Sequence, residues 1–166
     1  MHTIVISDLH LSDAEPINLK QPLWKKFRQK QYFIDQEFKN FIDKLNSEIS
    51  SPKELILNGD IFDFDSVMSL PEDGSISFNH HESKRGLSST EVKSTFKIQK
   101  ILEDHHLWIQ SLASFLSNDN KIIFIIGNHD VELHWPQVQN KIISMMNIDK
   151  DLARNIIFCE WFYISN

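Results

Sequence analysis

Three short apolar runs, rich in β-branched side chains, stand out along the chain because they do not alternate with polar residues. They cover residues 4–6, 55–57 and 122–126. This pattern is typical of strands that are buried on both faces of a parallel sheet. The sequence therefore predicts three strands inside a sheet whose two faces are both covered.

Helical spacing of apolar residues is found between these runs. Residues 34–49 keep their apolar side chains on one helical face, and Ser50-Ser51-Pro52 ends this helix. A second helix is predicted over residues 98–116, followed by the turn-forming triplet Asn118-Asp119-Asn120. A third, weaker helical pattern follows Pro136.

The alternation of strands and helices predicts an α/β fold with a largely parallel sheet. The end of the chain, residues 155–165, predicts two further apolar strands. Between the second strand and the second helix, residues 65–90 are polar, rich in serine and without a clear period. Such a segment is either a long loop or a small insertion.

Composition narrows the class of protein. With 166 residues, of which 41% are hydrophobic and 24% charged, the chain has the size and composition of one globular domain. No apolar run approaches the ~20 residues that span a bilayer, and the start of the chain lacks signal-peptide features. A single cysteine fits a reducing compartment, and the net charge of -6 disfavours a protein that coats nucleic acid. We therefore expect a cytoplasmic location.

A polar cluster follows each apolar run, at residues 7–10, 58–63 and 127–130. Because the carboxyl ends of parallel strands meet at one edge of a sheet, we expect these clusters to converge. Several carboxylates brought together repel one another unless a cation lies between them. Carboxylates, imidazoles and an amide without thiolate predict a site for manganese, iron or zinc.

Local spacing supports this metal site. In a strand, residues two apart point to the same side, so Asp8 and His10 are expected to bind one ion. Gly59 and Gly127 immediately precede Asp60 and Asn128. Glycine at these positions would allow a sharp turn and a close approach of the backbone to a metal or phosphate.

The ordered motifs Asp-x-His (residues 8–10), Gly-Asp-x-x-Asp (59–63) and Gly-Asn-His-Asp (127–130) closely resemble those of the calcineurin-like metallophosphoesterases. The resemblance extends at least from Thr3 to Asp130. It implies a sheet sandwich flanked by helices and an enzyme that holds two divalent ions, Mn, Fe or Zn. It also implies hydrolysis of a phosphate mono- or diester by a metal-bridging hydroxide.

The resemblance assigns a role to each motif residue. It implies that Asp8 and His10 bind the first metal, that Asn128 binds the second and that Asp60 bridges both. His129 would protonate the leaving oxygen or stabilise the phosphoryl transition state, with Asp63 as its orienting partner.

Two of the aspartates have alternative interpretations from the residues alone. Asp63 is open to a second interpretation, in which it only caps the turn after Asp60. Asp130 is either a turn residue or a support for the ligands.

The later motifs of the family, a further His and Gly-His-x-His, are absent. We therefore expect residues 1–166 to form a single, incomplete metallophosphoesterase domain that holds its second ion weakly. The chain is then either the amino-terminal part of a longer enzyme or a reduced relative. The alternative function is a protein-binding scaffold. His134, the only histidine after Asp130, is expected to be structural.

Other polar groups keep two interpretations. His80-His81, in the 65–90 segment, is a mobile loop pair or contributes to substrate recognition. His105, beside His106, is expected to form a packed or partly exposed histidine pair and not to be a ligand. The basic segment, residues 20–32, carries lysine and arginine among aromatic residues. It is a solvated lead-in to the first helix or a lip beside the metal site, facing an anionic, partly apolar substrate or a membrane surface. We expect a phosphorylated small molecule or lipid-like compound as the substrate.

Overall fold

The computed structural model describes residues 2–117 and 119–165. Asn118, the first residue of the predicted turn, therefore lies outside the described residues. Met1 and Asn166 also lie outside them. The strands are β1 (His2–Ile6), β2 (Lys53–Asn58), β3 (Lys121–Ile125) and β4 (Ile156–Cys159). The helices are α1 (Asp35–Glu48), α2 (Glu82–Arg85), α3 (Glu91–Asp104), α4 (His106–Leu116), α5 (Pro136–Met146) and α6 (Lys150–Ala153).

The four strands form one parallel sheet in the order β1-β2-β3-β4. Helices connect successive strands, which confirms the α/β prediction with a parallel sheet flanked by helices. Each connection leads to the next strand in the same direction across the sheet. When such connections all have the same handedness, their helices lie on the same face of the sheet. Because the strands are parallel, the carboxyl ends of β1, β2 and β3 share one edge of the sheet.

One hydrophobic core lies between the helices and one face of the sheet. Leu55, Leu57 and Phe124 point into this core, where Trp108 of α4 is fully buried. The indole of Trp108 lies 5.6 Å from the ring of Phe62, measured between centroids in an edge-on arrangement. Phe62 belongs to the loop that follows β2, so the core supports that loop directly.

The opposite face of the sheet is less well covered than the sequence predicts. Val5 on the edge strand β1 remains 60% exposed, and its neighbour in register, Ile56, is only half-buried. The prediction that all three strands are buried on both faces is therefore wrong for β1. The physical reason is that the helical core covers only one face of the sheet. The composition of β1 does not reveal this, because its apolar run resembles that of a central strand.

The end of the chain contains one strand and not two. Residues 156–159 form β4 as predicted, but residues 160–165 form no strand. The hydroxyl of Tyr163 instead donates to Glu54 Oε1 at 2.7 Å, near the start of β2. Trp161 and Phe162 remain exposed.

The predicted second helix is divided at His105 into α3 and α4. His105 leaves the helical conformation, with φ -101° and ψ 41°, and its ring is buried. Its Nδ1 lies 2.7 Å from Asp35 Oδ1, and its Nε2 lies 3.0 Å from the carbonyl oxygen of Ser12. The break thus places a histidine between α1 and the loop after β1, and of the two expected environments for His105, packed or partly exposed, the structure shows the packed one.

The segment 65–90 is a small insertion organised around a buried carboxylate. Glu82 accepts hydrogen bonds from Lys93 Nζ at 2.6 Å, from the hydroxyl and backbone N–H of Ser88 and from the backbone N–H of Asn79. These bonds, above all those from Lys93 and Ser88, hold the pKa of Glu82 far below its usual range.

None of the helices in the described parts of the chain is long and apolar enough to cross a bilayer.

Replacing Glu82 by Gln should lower the free energy of unfolding because the amide cannot replace the charge bound to Lys93. The pKa of Glu82 is lowered from an ordinary value of 4.5, so the carboxylate stabilises the fold fully above that pH. This contribution is lost as the pH falls below 4.5. Urea unfolding should therefore show a larger deficit for Glu82→Gln at neutral pH than at about pH 3.

Glu72→Gln, at an exposed position of the same insertion, is the matched control and should show no such deficit. An equal deficit for Glu82→Gln at both pH values would contradict a role for its charge.

Candidate metal centre

Backbone hydrogen bonds extend the pairing of β1 and β2 beyond the ends of both strands. The N–H of Asp8 donates to the carbonyl of Gly59 at 3.2 Å, and that of His10 donates to the carbonyl of Asp60 at 3.0 Å. The N–H of Leu11 then donates to Ile61 at 2.9 Å. The first two motifs are therefore held side by side at the carboxyl edge of the sheet.

Asp8, His10 and Asp60 all adopt left-handed backbone conformations, with φ values of 57°, 50° and 53°. Such conformations cost about 1–3 kcal/mol each and persist where the surroundings enforce them, often at functional sites. The prediction that Asp8 and His10 share one side of a strand is wrong, because β1 ends at Ile6. The expected convergence is nevertheless found, since one ligand atom from each of the three side chains lies within 4.8 Å of the others.

The third motif contacts the second through the carboxylate of Asp60. Its Oδ1 accepts the backbone N–H of His129 at 2.9 Å. A Cβ atom on Gly127 would lie only 2.3 Å from the same Oδ1, so a side chain at this position would displace the carboxylate. Gly59, with φ +79°, also approaches Gly127, and a Cβ on Gly59 would lie 3.1 Å from the Gly127 Cα. Steric contacts between the two loops therefore favour glycine before Asp60 and Asn128, while the approach of the backbone to a metal or phosphate stays a prediction.

Asp130 is completely buried and holds the two loops together. Its Oδ1 accepts the N–H of Gly127 at 2.6 Å, and its Oδ2 accepts those of Ile61 at 2.8 Å and Phe62 at 3.3 Å. Burial raises the pKa of Asp130, although the three N–H groups favour its charged form. Of the two interpretations of Asp130, the structure favours the supporting role.

His129 lies beside Asp63 without a hydrogen bond between them. The distance from His129 Nδ1 to Asp63 Oδ1 is 3.7 Å, and this buried nitrogen has no hydrogen-bond partner among the described residues. Asp63 accepts the backbone N–H of Ser66 at 3.1 Å and also its hydroxyl, so it does cap the following turn. The ring of His10 meets that of His129 edge-on, with 4.9 Å between centroids.

The residues present fit a divalent cation. Asp8, His10 and Asp60 offer hard oxygen and imidazole ligands without thiolate, a donor set that suits manganese, iron or zinc. A second group, formed by His10, Asp63 and His129, has ligand atoms within the same 4.8 Å limit. Gly127 also favours Asp60 as a metal ligand, because the absence of a side chain at Gly127 leaves room for the Asp60 carboxylate.

Three other histidines stand apart from these groups. Neither group, among the described residues, includes His80, His81 or His134. His134 Nδ1 lies 2.7 Å from the Val131 carbonyl oxygen, as expected for a structural residue. Asn128 lies exposed between Gly127 and His129, both of which approach Asp60, and its role as a ligand stays a prediction.

The basic segment contributes less positive charge than its sequence indicates. Arg28 is only 2% exposed and forms ion pairs with Asp13 and Glu15. Lys25 also contacts Glu15 at 3.1 Å, and Lys30 contacts an aspartate of α3 at 2.7 Å. The interpretation of Arg28 as part of a charged lip is therefore wrong, because acidic partners elsewhere in the chain neutralise it.

Sequence reasoning missed Asp13, which joins the loop after β1 to the insertion. Its Oδ2 accepts the backbone N–H of Met68 at 3.2 Å, and the N–H and hydroxyl of Ser69 at 2.9 and 2.7 Å. The only feature of the sequence that marks Asp13 is its position three residues after His10. That position does not indicate which residues of the insertion Asp13 binds, because they lie more than fifty residues further along the chain.

Comparison with known proteins identifies the family of the chain. A model of the calcineurin-like phosphoesterase family matches residues 1–166. No curated protein and no solved structure matches the chain.

Gly127→Ala should weaken manganese binding by about 10- to 100-fold, because the added Cβ would displace the Asp60 carboxylate. Calorimetric titration with Mn²⁺ measures this effect. Gly74→Ala is the control, because a Cβ there meets nothing within 4 Å. Unchanged manganese affinity in a folded Gly127→Ala protein would show that Asp60 is not a ligand.

Proposed function

Because the chain belongs to the calcineurin-like phosphoesterase family, we propose that it hydrolyses a phosphate mono- or diester. The observation that carries the proposal is the convergence of Asp8, His10 and Asp60 beside His129, whose Nδ1 has no hydrogen-bond partner among the described residues. The substrate proposed is a phosphorylated small molecule or a lipid-like compound in the cytoplasm.

Asp8, His10 and Asp60 would hold the first divalent ion, and Asp60 together with Asn128 would contribute to a second. When bound, such ions supply Lewis acidity that activates water and neutralises the charge of a phosphoryl group. The protein's contribution is to fix the ligands before the ion arrives. The N–H of His129 fixes the Asp60 carboxylate, and the paired backbone fixes Asp8 and His10.

His129 is proposed to donate a proton to the leaving oxygen. Its side chain is 41% exposed, so a substrate can reach the ring. Asp63 is a positioning residue in this proposal: Ser66 holds its carboxylate, which faces the imidazole at 3.7 Å. A carboxylate in that position can orient the imidazole towards the leaving oxygen.

A protein-binding scaffold is the alternative function. A scaffold would have no use for an accessible imidazole that faces a carboxylate next to a candidate metal centre. The arrangement of His129 and Asp63 therefore supports the hydrolase.

His129→Ala should lower turnover of phenyl phosphate by about 10²–10⁴-fold, because phenol is a poor leaving group that needs a proton. Its manganese affinity should change little. Asp60→Ala should lose manganese binding and turnover together, because it removes a ligand of both ions. Phosphate release and calorimetric metal titration measure the two effects.

His134→Ala, at an exposed histidine outside both ligand groups, is the control. Loss of manganese affinity in His129→Ala would indicate that His129 is a ligand together with His10 and Asp63. Undiminished turnover in that variant would contradict its role as the proton donor. A wild-type chain that binds manganese but hydrolyses neither phosphomonoesters nor phosphodiesters would favour the scaffold.

A further inference from the structure

A cavity of about 270 Å³ opens next to the candidate metal centre. His10, a candidate metal ligand, forms part of its wall. Most of the remaining wall consists of aromatic and aliphatic side chains, including those of Leu9, Phe27, Tyr32, Phe33 and Ile34. The cavity therefore lies between the proposed phosphoryl site and the basic segment.

Two of the polar side chains in this wall, Arg28 and His105, are already engaged with other protein groups. Arg28 binds Asp13 and Glu15, and both ring nitrogens of His105 lie within hydrogen-bond distance of acceptors. Of the buried polar atoms in this wall, only the Nε of Arg28 lacks a partner among the described residues, whereas the Tyr32 hydroxyl belongs to a partly exposed side chain. Apart from His10, the cavity thus offers a ligand mainly apolar contacts.

The back of the cavity is held in place by packing. The ring of Phe33 stacks on that of His105 with 4.1 Å between centroids, and His105 is bonded to Asp35. A wall that is ordered before binding reduces the entropic cost of receiving a ligand.

The mouth of the cavity exposes apolar surface that a ligand would cover. Phe27 is 64% exposed and Tyr32 is 45% exposed, and Ile34 is exposed beside them. Exposed apolar side chains that line a cavity are a typical feature of ligand-binding sites.

We propose that this cavity binds the apolar ester group of the substrate, which makes alkyl or aryl phosphoesters the substrate class. The inference rests on the proposed function, because it assumes that the phosphoryl group lies beside His10. A cavity of about 150 Å³ holds benzene. A volume of about 270 Å³ therefore accommodates one aromatic ring with a short chain, or an alkyl chain of similar size.

Alkylphosphonates test the proposal without requiring turnover, because their carbon–phosphorus bond is not hydrolysed. Calorimetry of the manganese-loaded chain should show that affinity rises about three- to fourfold per methylene from methyl- to hexylphosphonate. Phe27→Ala should reduce the ratio of hexyl- to methylphosphonate affinity by threefold or more. Phe78→Ala, at an exposed phenylalanine outside the cavity wall, should keep the wild-type ratio.

The same series separates this inference from the proposed function. A chain-length series that is flat, or no phosphonate binding at all, would overturn the cavity proposal even if phenyl phosphate is hydrolysed. A rising series that Phe27→Ala weakens supports the cavity proposal even if no hydrolysis is detected. Equal loss of selectivity in Phe27→Ala and Phe78→Ala would also overturn it.

Discussion

The buried carboxylate of Asp130 is the interaction on which the candidate metal centre depends. It accepts N–H groups from the loop after β2 and from its own loop after β3, at distances between 2.6 and 3.3 Å. A buried carboxylate without such donors would be costly, so its three bonds fix both loops in one relative position. The Asp60 carboxylate can then receive the N–H of His129 across the space that Gly127 leaves open.

The fixed loops contain both strained backbone conformations and candidate functional side chains. Asp8, His10 and Asp60 are held in left-handed conformations by backbone pairing. The same framework leaves the Nδ1 of His129 buried and without a hydrogen-bond partner among the described residues. Ligands and a proton donor that are in place before binding lose little energy to reorganisation. This preorganisation supports the proposed hydrolase, and the apolar cavity beside His10 is the proposed basis of substrate selection.

The sequence predicts those features that are encoded locally. Apolar runs followed by polar clusters predict the strands and the side chains that meet at their ends, because strand direction fixes which ends are adjacent. Features that depend on distant partners are not predictable in this way. The helix break at His105 depends on Asp35, seventy residues away, and the neutralisation of Arg28 depends on Asp13 and Glu15. The exposure of Val5 depends on which face of the sheet the helices cover, and the composition of β1 does not reveal that face.

The most direct test of the metal centre is X-ray diffraction from crystals of the chain soaked in Mn²⁺, with data collected at the manganese absorption edge. The account predicts an anomalous peak within coordinating distance of the side chains of Asp8, His10 and Asp60. Peaks confined to other positions, such as His80 and His81, or an empty site between the three side chains in manganese-soaked crystals, would contradict it.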